Sequence, residues 1–369
     1  LDEKIGQLFM VAAYSNQSLK ANELVTELIV KYNIGGICFF QGGPVTQARY
    51  TNYWQSLAQT PLLIAIDGEW GLGMRLKDST MSFPKQMTLG AIRDNKLIYA
   101  MGEEIGKQCK RMGVSMNFAP VVDINSNPQN PVINYRSFGE DKKNVTNKAL
   151  EYMKGMQNRG ILATAKHFPG HGDTDKDSHT ELPTIHHSKE LIDSVDLYPF
   201  RKLAQNNLAA VMAGHLFVPA LDTTSDQPSS LSPKIIHDVL SVEMKFKGLI
   251  ITDALGMKGA SEKAKKRFRL CKTPLQILLR PSSKGLKNIM RERLTVNAIF
   301  SSPNPGVISF IKKGAETKKT APTSTRPKAR MFKMPFTNFQ ASREFSLFCQ
   351  RLTKTGIKPA ESAPITRRL

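Results

Sequence analysis

Seven short apolar runs, each followed by a longer amphipathic stretch, recur along the first part of the chain, and this alternation constrains the fold more than any other feature. The runs are Leu8–Ala13, Gly35–Phe40, Leu62–Ile66, Ser115–Pro120, Ile161–Ala165, Ala209–Ala213 and Gly248–Thr252. They are brief and almost continuously apolar, as strands buried on both faces of a parallel sheet must be. Between them, Lys20–Lys31, Pro44–Leu57, Asn95–Met112, Lys143–Arg159, Ser188–Gln205 and Ser232–Val242 read as helices. The last is entered through Ser232-Pro233, an N-cap followed by Pro at the first helical position. The expected fold class is α/β: a (β/α)8 TIM barrel with seven βα units recognisable and the eighth strand missing or replaced. An open doubly wound sheet of five or six strands accommodates the pattern less well.

The alternation stops near Ala260, and the charge changes there too. The full chain of 369 residues carries a formal charge of +21, yet residues 1–260 hold 27 Lys+Arg against 26 Asp+Glu. Residues 261–369 hold 25 against 5, and contain no Asp, His, Tyr or Trp. The expected organisation is therefore 1–260 as an incomplete barrel and 261–369 as a basic tail without βα period. Isolated apolar stretches such as Leu275–Leu279 and Val307–Ile311 interrupt that tail. Three readings fit it: a disordered arm for nucleic acid or another polyanion, a separate folded domain, or translation out of frame after Ala260. It has no Gly-Arg repeats and no RNA-binding aromatic motif, so no specific nucleic-acid partner is expected. A lost reading frame would account together for the missing Asp and the lost period, and is the reading favoured.

Cys38, Cys109, Cys271 and Cys349 are far apart, with no CxxC or Cys/His ligand spacing, which argues for free thiols rather than disulfides or zinc. No apolar run reaches the roughly 18 residues of a membrane span. The chain starts Leu-Asp-Glu-Lys without an initiator Met and reads as soluble and trimmed.

Ionisable residues follow the apolar runs, where a barrel presents its active face. Asp67 comes after the third, Asp123 after the fourth, Lys166 and His167 after the fifth, His215 after the sixth and Asp253 after the seventh. Each taken singly is equally well a helix cap or a loop hydrogen-bonder. The densest stretch is Lys166-His167-Phe168-Pro169-Gly170-His171-Gly172-Asp173-Thr174-Asp175-Lys176-Asp177-Ser178-His179. Its His and Asp are metal-ligand types, but the spacing matches neither a helical HxxxH nor an EF-hand, so no metal is expected. An acid/base reading fits better: Asp177, two residues before His179, can orient the ring and stabilise its charged form. His186 and His187 read as surface residues at a helix start, whereas His215 is a possible pocket residue.

The Lys-His-Phe-Pro-Gly-His-Gly-Asp-Thr loop with its Asp-Ser-His, together with Ile251-Thr252-Asp253-Ala254-Leu255-Gly256-Met257, resembles glycoside hydrolase family 3, and more narrowly its β-N-acetylhexosaminidase branch. The resemblance runs from Leu1 to about Ala260. It implies Asp253 as nucleophile, His179 as acid/base with Asp177 as its partner, and Asp67, Arg75, Arg136, Lys166 and His167 as substrate-binding residues. Where the family commonly has Gly-Gly-Arg, this chain has Trp70-Gly71-Leu72.

The implied chemistry is retaining cleavage of terminal β-linked N-acetylglucosamine in muropeptide or chitin fragments, with no cofactor. A neutral imidazole in place of a carboxylate would repel phosphate less, so some phosphorolysis is expected beside hydrolysis. The alternatives are a broader β-glucosidase of the same family, or an inactive chain whose tail binds polyanions. Relatives occur in the bacterial cytoplasm and periplasm, and both compartments stay open.

Overall fold

The computed structural model describes residues 6–260 and the backbone of 307–311. Seven parallel strands follow one another in chain order: β1 (Phe9–Tyr14), β2 (Gly36–Phe40), β3 (Leu63–Ile66), β4 (Met116–Asn117), β5 (Leu162–Phe168), β6 (Ala210–Ala213) and β7 (Leu249–Ala254). The apolar runs and these strands agree to within a few residues. β4 is shorter than expected, and β5 runs on through Lys166 and His167, which therefore lie in a strand rather than after one. The register shifts between Lys166 and Phe168.

The eighth position is filled. Val307–Ile311, one of the isolated apolar stretches of the basic tail, forms β8 and pairs in parallel with β7 (Ile250 opposite Val307) and with β1 (Phe9 opposite Ser309). The strand is thus replaced rather than missing, and the barrel that 1–260 leaves incomplete is closed. The chain divides into a compact unit Leu1–Gly314 and a second, Ala315–Leu369, which lies outside the described residues. So do the remaining tail positions on which the three readings of 261–369 rest.

Strand parity sorts the apolar side chains. Met10, Cys38, Ala65, Met116, Met212 and Ile251 come from six strands and form one buried cluster, the inside of the barrel. Alternate residues face outward to the helices: Phe39 of β2 packs 5.9 Å from Trp54 of the Pro44–Leu57 helix. The helix over Asn95–Arg111 starts at Asp94, which accepts from Lys96 N, and that over Lys142–Gln157 at Asp141, which accepts from Asn144 N. The expected Ser188–Gln205 helix contains a π-helical stretch at Ile192–Asp196, and the Lys234–Glu243 segment is π-helical throughout. Ser232 caps the latter, accepting from Ile235 N at 3.2 Å. A five-residue helix, Gln86–Gly90, has no counterpart in the sequence reading. No helix among the described residues is long and apolar enough to cross a membrane.

Candidate active site

The carboxyl ends of the strands surround a cavity of about 190 Å³. That is smaller than the roughly 300–1,000 Å³ of sites for drug-sized ligands, and suits one ring-sized group. Asp67, Arg75, Arg136, Lys166, His167, His179 and Asp253 all line it, joined by Glu69, His171 and Ser178, to which the sequence reading assigned no role.

β3 ends at Ile66, so the turn beyond it delivers Asp67 and, two residues on, Glu69. Lys166, on β5, donates to both, at 2.7 Å to Asp67 Oδ1 and 2.8 Å to Glu69 Oε1. Arg75 holds Asp67 from the other side through its Oδ2 and through a 2.9 Å bond from Nε to the backbone carbonyl. Arg136 grips Glu69 in a fork, Nε to Oε2 at 2.9 Å and Nη2 to Oε1 at 2.6 Å. Three cations thus meet two carboxylates in a largely dry wall. Burial alone would raise the Asp67 carboxyl, but Lys166 and Arg75 outweigh it and hold it well below the usual carboxylate range. Glu69 is lowered in the same way, with Arg136 and then Lys166 overcoming burial. Lys166 stays charged: burial pulls its ammonium down, and Asp67 and Glu69 lift it above the ordinary value.

Asp123, fully buried after β4, is the organiser of the neighbouring loop. It accepts from His167 N at 3.1 Å, from His167 Nδ1 at 2.7 Å and from His171 N at 2.8 Å. With Nδ1 donating to a carboxylate, His167 turns Nε2 toward Arg136, 3.4 Å away. His171 is neutral, since desolvation pushes it down to about 4. Its tautomer follows from the partners. Thr174 donates its hydroxyl to the His171 carbonyl at 3.2 Å, so Thr174 Oγ1 accepts from Nδ1 at 2.7 Å and Nε2 accepts from Ser178 at 3.1 Å. The signal for Glu69 and His171 was present in the motifs, as charged or titratable residues interleaved with the assigned ones. Their partners, 67 residues away for Glu69 and 48 for His171, were not.

Asp253 lies inside β7 and faces the cavity. The helix-cap role that its local sequence also allowed is not what it performs, because the next helical residues begin at Lys258. Its Oδ1 accepts from Ala254 N at 2.7 Å. Burial works against its charge, but His167, His215 and Lys166 keep the carboxyl below its ordinary value, so it is ionised. His179 stands at the rim with its side chain 58% exposed. Its Nδ1 meets Asp177 Oδ1 at 2.7 Å, and the same oxygen accepts from His179 N at 2.8 Å. The carboxylate therefore fixes the ring's orientation and leaves Nε2 free to exchange a proton.

Two histidines depart from expectation. His215 is fully buried and absent from the cavity wall: Nε2 donates to the Ala254 carbonyl at 3.1 Å and Nδ1 meets Ser230 at 2.6 Å. It backs β7 behind Asp253 instead of lining this cavity. His187 is not a surface residue either, because two carboxylates enclose its ring, as described below. His186 is exposed as expected.

The family model for the glycosyl hydrolase family 3 N terminal domain matches residues 1–276. A beta-hexosaminidase A of Pseudoalteromonas piscicida is 38% identical over 260 residues, covering 64% of this chain and 44% of that protein. A beta-hexosaminidase of Nitrosomonas eutropha is 34% identical over 236 residues, covering 62% and 67%. Among solved structures, a family 3 beta-N-acetylglucosaminidase from Paenibacillus sp. str. FPU-7 superposes with a TM-score of 0.71 at 32% identity, over 85% of this chain and 55% of that one. A beta-glucoside phosphorylase superposes with a TM-score of 0.66 at 26% identity, over 70% and 48%. The chain spans about half the length of several relatives it matches. With residues 1–276 matched by the family's own model, the chain belongs to glycosyl hydrolase family 3.

Proposed function

We propose that this chain is a retaining β-N-acetylhexosaminidase that releases terminal β-linked N-acetylglucosamine from muropeptide or chitin fragments. The observation that carries the reading is the pairing of an ionised Asp253 on the cavity wall with an exposed, carboxylate-oriented imidazole, His179, at the rim. In the first step an Asp253 oxygen attacks the anomeric carbon while the bond to the leaving oxygen breaks, and protonated His179 gives that oxygen its proton. In the second, neutral His179 takes a proton from water, the hydroxyl attacks the same carbon, and Asp253 leaves as carboxylate. Asp67, Arg75, Arg136, Lys166 and His167 supply fixed donors and acceptors for the sugar hydroxyl and amide groups, already organised by their mutual ion pairs.

The decisive test is release of a chromophore from an aryl N-acetyl-β-glucosaminide by the full chain. Asp253→Asn should lower kcat by at least about 10³-fold, since it removes the nucleophile and leaves the fold intact. Equal rates for the two proteins would overturn the assignment. Faster turnover of the corresponding glucoside than of the N-acetylglucosaminide would move the chain to the β-glucosidase reading.

A second acceptor is favoured by the cation-rich wall of Arg75, Arg136 and Lys166 together with an imidazole where a carboxylate would repel anions. Phosphate should then compete with water in the second step. Formation of N-acetylglucosamine 1-phosphate at saturating phosphate checks this, and its absence would leave hydrolysis alone.

A further inference from the structure

The loop between β5 and the Lys189–Leu191 helix carries Asp177 and His179, and its tip is exposed: side chains at both positions are 40% or more accessible. A general acid at the end of an exposed loop delivers its proton only if the loop is held. His187 lies at the far end of that loop. Its Nδ1 is 2.7 Å from Asp196 Oδ2 and its Nε2 is 3.0 Å from Asp173 Oδ2. Asp173 belongs to the start of the loop, four residues before Asp177, and Asp196 to the π-helical stretch packed beneath it. When both carboxylates are ionised they accept, and a ring facing one at each nitrogen donates from both as the imidazolium. Hydrogen bonding to Asp196 accordingly raises the His187 pKa, while burial raises that of Asp196 against it. The support beneath is tight: a Cβ on Gly170 would come within 2.8 Å of the Asp196 side chain.

We propose that His187 is a positioning residue for the acid/base dyad: by bridging Asp173 and Asp196 it closes segment 173–187 at its base and holds Asp177 and His179 over the cavity. This rests on the acid/base reading of His179 given above. Closing the base shortens the span over which the tip can wander, and so lowers the entropic cost of presenting the imidazole to a leaving group. Other ties at the loop's foot carry no cation: Ile185 N to Phe217 O at 2.9 Å and Phe217 N to Pro183 O at 2.8 Å form a β-bridge around Thr184, while Ser126 Oγ donates to the Asp173 carboxylate and Asn127 Nδ2 to its carbonyl, both at 3.4 Å. The His187 bridge is charged at both ends, which makes it the stronger fastening.

The test compares the full chain with His187→Gln, Asp173→Ala and His179→Ala on two substrates, the dinitrophenyl and the unsubstituted phenyl N-acetyl-β-glucosaminides. Dinitrophenolate leaves without a proton, whereas phenolate needs one. His187→Gln and Asp173→Ala should each lower kcat/KM on the phenyl glycoside about ten-fold and change it less than about two-fold on the dinitrophenyl glycoside. His179→Ala should show the same contrast more strongly. If His179→Ala shows no contrast, the acid/base reading fails. If His179→Ala shows it and the other two variants lose both substrates equally, or neither, the positioning role fails. Amide hydrogen exchange gives a readout independent of turnover: in His187→Gln, peptides spanning 174–184 should exchange roughly ten-fold faster while the Asn95–Arg111 helix is unchanged. Unaltered exchange in 174–184 overturns the inference whatever the rates do. Should His187→Gln not fold, Asp173→Ala, an alteration in the loop itself, decides by the same measurements.

Discussion

Glu69 and Arg136 meet in a two-bonded fork deep in the cavity wall, and Glu69 is completely shielded from water. Removing one partner of such a pair leaves a cation in low dielectric, so Glu69→Gln should destabilise the fold by about 3–5 kcal/mol, read from urea denaturation. His171 makes a different prediction. Its native pKa is depressed from 6.5 to about 4, so as pH falls through that interval the unfolded chain takes up a proton that the folded chain refuses. Stability is therefore lost on acidification, by about 2 kcal/mol between pH 7 and pH 5 from this group alone. His187, whose pKa is raised, works in the opposite sense: its contribution is present below the unfolded value and fades as pH rises. The difference in pH slope between the native chain and His171→Gln isolates the first term, and identical slopes would show that His171 is not neutral in the fold. At this scale the sequence exposed the Asp177–His179 contact, because the two residues are two apart in the chain. It hid the Glu69 and His187 contacts, whose partners are assembled by the fold.

Two helices that contribute no residue to the cavity wall stabilise the turn after β3. Tyr152, on the Lys142–Gln157 helix, donates its hydroxyl to the Glu69 carbonyl at 3.0 Å, and that helix packs directly on the Asn95–Arg111 helix. Their backbones approach through glycines: a Cβ on Gly155 would fall 2.3 Å from the Tyr99 carbonyl oxygen, and one on Gly102 2.4 Å from that of Tyr152. Gly155→Ala must push the helices apart and should destabilise by roughly 1–3 kcal/mol, seen as a lowered thermal midpoint. A midpoint equal to that of the native chain would mean the pair can part without cost. The long amphipathic helices were legible from period alone, and Pro44–Leu57 was bounded to the residue. Gln86–Gly90 was not, since five residues span too little of a helical period to register. Nor was the π-helical stretch at Ile192–Asp196, which leaves the apolar pattern almost unchanged while turning Asp196 toward His187.

Closure of the barrel is a property of the whole molecule. β8 comes from residues 307–311, inside the segment whose charge and composition depart from everything before it, and it covers the edges of both β1 and β7. A chain ending after Ala260 would expose both edges and the adjoining interior, a loss comparable with the total margin of roughly 5–15 kcal/mol for a domain. It should lose its cooperative thermal transition, whereas a chain ending after Gly314, where the first compact unit ends, should keep it. Circular dichroism during heating distinguishes the two, and cooperative melting of the shorter chain would show that β8 is dispensable.

The sequence by itself determined the α/β period, the end of the strands at which ionisable residues collect and the family, because each is written in neighbouring residues: apolar runs, the positions just beyond them, and one long loop motif. Only the tertiary structure decided that Lys166 bridges Asp67 and Glu69, that His215 stands behind β7, that His187 joins Asp173 to Asp196, and that Val307–Ile311 closes the barrel. Those outcomes depend on contacts between residues distant in the chain, and a five-residue apolar stretch becomes a strand here only because two unpaired edges are waiting for its backbone.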